Sequence, residues 1–232
     1  MKKWIFFLGT CLLFLAGCSF SYLVSGPTET VTESIEFDES LKEGAIELHF
    51  GVGELKFIGS SDAFVHGQFT YSDESLVPKL NYRAKNEKAT LQLKPKKSNF
   101  TGTVKNEWEL AFTDQIPLSF DLNLGVGESH LKFSNLQLTE LSVQAGVGET
   151  VIDLSEVIST DFTVNVSSGV GSTKLIFSEN QAVIVDVSKG IGSVSADGFV
   201  KEDGRYKTTV DSDQVIKIFI SQGVGEVTLE TK

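Results

Sequence analysis

Gly125-Val126-Gly127-Glu128 is followed 21 residues later by Gly146-Val147-Gly148-Glu149, and this recurrence decides the fold. The same four residues stand at Gly51 to Glu54 and at Gly223 to Glu226, and serine replaces the acid in Gly169-Val170-Gly171-Ser172 and Gly190-Ile191-Gly192-Ser193. Successive first glycines are 74, 21, 23, 21 and 33 residues apart, so four units keep a period near 21 and two gaps hold insertions. A fixed period of this length marks a stacked repeat.

Superposing the six units on the first glycine exposes four apolar columns. Five residues before it stand Ile46, Phe120, Leu141, Val164, Val185 and Ile218; three before it stand Leu48, Leu122, Val143, Val166, Val187 and Ile220. One residue after it come Val52, Val126, Val147, Val170, Ile191 and Val224, and six after it Phe57, Leu131, Ile152, Leu175, Ala196 and Leu229. All 24 positions are apolar, where a hydrophobic content of 41% would fill about ten. The columns at −5, −3 and +1 share the parity of one strand face, and the column at +6 is out of phase by one residue. This reading puts the +1 residue in the core and requires a turn before +6. The second glycine, at +2, suits that turn, because a β-arc or bulge needs backbone angles that glycine reaches cheaply.

Each unit therefore reads as strand, glycine corner, strand and return loop. One such unit cannot bury its apolar face alone, whereas stacked units bury a continuous one. At about 3.3 Å per extended residue, 21 residues close a circuit of roughly 70 Å at most. The expected fold is all-β, a parallel β-solenoid of about 21-residue coils. Its structural corner glycines are Gly51, Gly53, Gly125, Gly127, Gly146, Gly148, Gly169, Gly171, Gly190, Gly192, Gly223 and Gly225. Strands rich in Val, Ile, Phe and Thr, with glycine at every corner, do not suit a helix-pair repeat. Residues 63–117 break the period. Alternation in Phe69/Tyr71, Leu80/Tyr82/Ala84, Leu91/Leu93 and Trp108/Leu110/Phe112, with a hairpin loop at Lys85-Asn86-Glu87-Lys88, predicts an antiparallel strand insertion between the first and second coils. A shorter insertion, about Gly198 to Gln214, accounts for the 33-residue interval.

The N-terminus sets the address. Met1-Lys2-Lys3 precedes thirteen uncharged, mostly apolar residues, Trp4 to Ala16. This run is short for a bilayer core of about 30 Å and suits a secretory signal. Leu15-Ala16-Gly17-Cys18 resembles the bacterial lipobox, which implies cleavage between Gly17 and Cys18 and lipidation of Cys18. The expected organisation is a signal peptide over 1–17, a lipidated flexible tether over 18–33 and a solenoid body over 34–232. Each buried acyl methylene contributes about 0.8 kcal/mol, so several chains hold the protein on the extracytoplasmic face of its membrane.

Net charge is −11, from 20 basic and 31 acidic residues. Cleavage removes Lys2 and Lys3 and no acid, which moves the charge to −13. That sign repels phosphate backbones and argues against a nucleic-acid partner. Two cysteines and three histidines exclude a disulfide framework and leave zinc short of ligands.

Gly44-Ala45-Ile46-Glu47-Leu48-His49-Phe50-Gly51-Val52-Gly53-Glu54-Leu55, then Val77-Pro78-Lys79-Leu80-Asn81-Tyr82, then Glu107-Trp108-Glu109-Leu110 leading to Ile116-Pro117-Leu118, resembles the bacterial toast-rack family. The C-terminal coils also resemble the related adhesin-like β-solenoids and the extracytoplasmic domains of proteins in cell-envelope stress regulation. The resemblance spans about Glu33 to Lys232. It implies the fold and an envelope setting, and carries no activity over to particular residues.

The candidate sites have bland explanations beside them. The corner acids Glu54, Glu128, Glu149 and Glu226 suggest a calcium ladder, yet one acid per 21 residues is sparse for an ion that takes six to eight oxygens. Gly-Val-Gly is half of a dinucleotide fingerprint, but a strand and not a helix follows it. His49, His66 and His130 lie far apart and outside any catalytic motif. Lys94-Pro95-Lys96-Lys97 offers a contact for anionic lipid or wall polymer, but the favoured reading is that it blunts an exposed sheet edge against aggregation. No catalytic residue, metal or cofactor is expected. The reading is a membrane-anchored, non-catalytic binding or scaffold module, with an envelope protein or wall polymer as partner. A regulatory role beside a membrane sensor is the alternative, and a wall-polysaccharide enzyme the third.

Overall fold

The computed structural model describes residues 27–96 and 104–232. Gly17, Cys18 and Lys97 lie outside the described residues. The strands are β1 (Glu29–Ile35), β2 (Glu43–Ser61), β3 (Val65–Tyr71), β4 (Pro78–Lys85), β5 (Lys88–Pro95), β6 (Asn106–Thr113), β7 (Leu118–Lys132), β8 (Leu138–Asp153), β9 (Thr163–Phe177), β10 (Val183–Asp197), β11 (Val200–Glu202), β12 (Arg205–Lys207) and β13 (Ile216–Thr231). No α-helix occurs among the described residues. The six long strands β2, β7, β8, β9, β10 and β13 are the six glycine units, paired parallel with glycine stacked on glycine. The parallel β-solenoid stands as expected.

The order of rungs is not the order of the chain. Along the stack run β2, β7, β8, β9, β13 and β10, so the last unit is inserted between the fourth and the fifth. The 33-residue interval makes this possible: β11 and β12 form a hairpin on the far side of β10 while the chain returns to the free edge of β9.

The first insertion contains the expected antiparallel pairs, β4 with β5 and β3 with β6. Asn86 and Glu87 turn the β4–β5 hairpin with φ of 52° and 61°, values that match a two-residue type I′ turn. In space the insertion does not separate coil one from coil two, because β2 pairs β7 directly. It extends the stack on the other side. There β5 continues the first arm of β2 (Glu43↔Lys88 to Leu48↔Leu93) and β6 continues the second (Glu54↔Glu107 to Ser61↔Thr113), both parallel. The two short strands act as one split rung. The first strand, β1, lies antiparallel to β3 and includes Glu29 to Glu33, within the stretch read as tether.

The columns at −5, −3 and +6 face the core as expected, most of them below 4% exposure. The +1 column does not, which corrects the parity reading: Val126, Val147, Val170, Ile191 and Val224 are 43–74% exposed. From β7 onward, a Cβ on either corner glycine would point along the stack at the neighbouring rung's backbone, so the bend occupies both glycines and turns the residue between them outward. Inward-facing parity resumes at +4, where Leu55, Ser129, Thr150, Thr173 and Val227 are buried. Between the arms, Phe57, Phe112, Phe120 and Phe133 pack with ring centroids 4.9–5.8 Å apart, largely edge to face. That geometry favours aromatic clusters.

Candidate functional site

Three surfaces arise from the rung geometry: the corner, the outer face of the second arm and the outer face of the first. The corner is held by close backbone approach. Gly148 has φ +139°, and a Cβ there would lie 1.8 Å from the carbonyl oxygen of Gly127. The glycine ladder ends at the split rung, where a side chain takes over. Asn106 donates from Nδ2 to the Val52 carbonyl (2.6 Å) and accepts from Trp108 Nε1 (2.9 Å), so both buried polar groups are satisfied. At another rung, buried Gln222 accepts from Thr173 Oγ1 at 2.9 Å and donates to the Val224 carbonyl. Outside this ladder the +1 residues form an exposed apolar ridge.

The outer face of the second arm carries the corner acids. Ligand atoms of Glu54, Glu128 and His130 lie within 4.8 Å of one another. A cation is already present, however. The Lys56 ammonium sits 2.9 Å from Glu54, 2.6 Å from Glu107 and 3.8 Å from Glu109. Hydrogen bonds from Lys105 and Lys56 hold the Glu107 carboxyl below its ordinary value, and those from Glu107 and Glu54 raise the Lys56 ammonium. The cluster is a cross-strand ion-pair network, and its donor set does not resemble a calcium loop.

The histidines occupy three separate places. His49 Nε2 lies 2.6 Å from Glu47 on β2, His66 Nδ1 lies 2.7 Å from Ser34 Oγ across β1 and β3, and His130 stands 4.0 Å from Glu128 on β7. The last faces outward as its parity predicts. Ser34 and His66 are a serine–histidine pair, but no carboxylate pairs with His66 among the described residues. Lys94 continues β5 opposite Lys79, on the hairpin whose outer strand β4 pairs only with β5.

The outer face of the first arm is different in character. Ser142 and Gln144 of β8 lie beside Asn165 and Ser167 of β9, and these beside Phe219 and Ser221 of β13. Clefts of about 700 Å³ and 460 Å³ open on this face and share Ser142. Apolar periodicity does not mark this surface, because its residues are the polar complement of the core columns and vary from rung to rung.

Residues 24–176 match the N-terminal domain of toast_rack. The chain belongs to the toast-rack family. Residues 125–229 of this toast-rack chain also match the family described as cell wall-active antibiotics response LiaF, C-terminal. A crystal structure of a candidate cell adhesion protein from Clostridium sporogenes is 28% identical, covers 89% of this chain and 100% of its own, and superposes with a TM-score of 0.84. A candidate adhesin from Bacteroides fragilis is 17% identical over 88% of this chain and 98% of its own, with a TM-score of 0.35. No curated protein matches the toast-rack chain. The second family model that it matches is thus one of envelope-response proteins, and its fold is similar to that of an adhesion-type protein.

Proposed function

We propose that the protein is a lipid-anchored, extracytoplasmic, non-catalytic binding or scaffold module of the bacterial cell envelope. The observation that carries this reading is repetition of exposed chemistry: an apolar ridge recurs in register over five rungs and a polar face over six. Such a surface recognises an extended partner along its length, whereas catalysis requires unlike groups converging on one point. An exposed apolar line of this kind also marks a contact surface. Fold similarity to the Clostridium sporogenes protein supports the binding role, and Leu15-Ala16-Gly17-Cys18 supports the anchor.

A second reading, docking on a membrane sensor in an envelope-stress response, is favoured by the LiaF-like match over 125–229. In-cell crosslinking of the intact lipoprotein, with Cys18→Ala as control, separates the two. Capture of wall polymer or of a surface component supports the module. Capture of one integral membrane sensor, lost in the control, supports the docking role. If the intact protein captures nothing beyond what an unrelated lipoprotein captures, both readings fail.

A further inference from the structure

We propose that the outer face of the first arm is a binding groove for an uncharged or amino-sugar glycan chain running across the strands. The inference deepens the binding-module reading and rests on it, by naming a ligand class for one face.

The two clefts on this face share Ser142 and so form one groove. It begins at Asn81 and Arg83 of the β4–β5 hairpin and ends at Phe219 and Asp186. Four residues before each corner glycine, Glu47, Asp121, Ser142, Asn165, Phe219 and Asp186 stand side by side in register. Two residues before it, His49, Asn123, Gln144, Ser167, Ser221 and Ser188 do the same. Apart from His49 and Phe219 the floor is therefore made of hydroxyl, amide and carboxylate side chains, which present donors and acceptors at every rung.

Phe219 is the exception, and it points to the ligand. It is 51% exposed, on a strand whose neighbours Ile218 and Ile220 are 1% and 3% exposed. An aromatic ring among polar groups matches a sugar ring, whose C–H face stacks on the aromatic while its hydroxyls meet amides and carboxylates. Rungs are about 4.8 Å apart, close to the advance of one pyranose unit in an extended β-linked chain, so successive sugars meet equivalent rungs. Charge selects within the class. Glu47, Asp121, Glu140 and Asp186 outnumber Arg83 and the adjacent Lys217, which repels polyphosphate and polyuronate chains and tolerates amino sugars.

The test is co-sedimentation of the detergent-solubilised intact lipoprotein with purified sacculi stripped of anionic polymers, together with titration of chitotetraose. The expected result is saturable binding to both. Phe219→Ala should weaken it at least tenfold, and Ser142→Tyr, which fills the shared part of the groove, should abolish it. Ile158→Ala, exposed and outside the groove, should leave it unchanged. Thermal melting confirms that each variant is folded; a misfolded Phe219→Ala leaves Asn165→Ala as the equivalent probe of the groove. The proposal is overturned if the wild type binds neither probe, or if the folded groove variants bind as the wild type does. A protein that fails both glycan probes yet crosslinks a specific envelope partner loses this inference and keeps the function proposed above.

Discussion

At every corner glycine except Gly51 the neighbouring rung leaves no room for a Cβ, and this makes sharply different predictions for glycines that the sequence writes alike. Gly148→Ala is expected to cost at least ~2 kcal/mol, because the new methyl meets a carbonyl in a backbone region that side chains avoid. Gly51→Ala should change stability by less than ~0.5 kcal/mol, since a Cβ there meets nothing within 4 Å. Urea unfolding midpoints compare the two directly, and equal losses would refute the steric account. The difference comes from place in the stack: the rung beside Gly51 is split between β5 and β6, and no strand carbonyl stands there. Asn106 is the residue that closes this break. Asn106→Ala should destabilise the protein by about 2–3 kcal/mol, because it orphans the Val52 carbonyl and the Trp108 indole N–H in the core. The near-UV signal of Trp108 should weaken along with the unfolding midpoint. Its legibility was partial: Asn106 shares the parity of Trp108, Leu110 and Phe112, but nothing local says that its amide caps a corner 54 residues away.

Between elements, the Lys56 network ties the second arms of β2 and β6 across sequence that the repeat does not cover. The pH dependence follows from Glu107, whose folded carboxyl is held below 4.5 by Lys105 and Lys56. Its contribution is fully present above pH 4.5, where the unfolded chain is also ionised, and is lost as pH falls through the lowered folded value. Asp153 behaves alike: burial pushes its carboxyl up, and hydrogen bonds from Lys232 and Ser155 outweigh that and hold it below 3.8. Thermal melts should therefore fall in temperature on acidification below about pH 4.5. Lys56→Met should flatten part of that limb, by about 1 kcal/mol given the partial exposure of the pairs. An acid limb identical in the variant would remove the network from the account. The hairpin loop of the insertion was legible, since Asn86-Glu87 lies between two alternating runs. That β5 and β6 would continue β2 was not, because parallel pairing leaves no turn in the sequence to announce it.

Over the whole molecule, stability should grade along the stack. Amides of β8 and β9, each paired on both sides over nearly its full length, are expected to exchange most slowly with deuterium; those of β1, β4 and β11, each paired on one side only, most rapidly. Uniform protection would mean that the rungs open together and that the edges carry as much as the centre. That this chain is a stack of glycine-cornered β coils with an interruption after the first is legible in the residues alone, because the apolar periodicity that drives burial is a local property repeated within each unit. The residues also contain the acidic balance and the family resemblance. Three features emerge only on folding: the last unit slides between the fourth and fifth, most residues between the paired glycines face outward, and the polar complement of the core aligns into a groove. These depend on which sheet edge is free and on the bend at paired glycines, and backbone hydrogen bonds, being the same at every rung, write neither into the side chains.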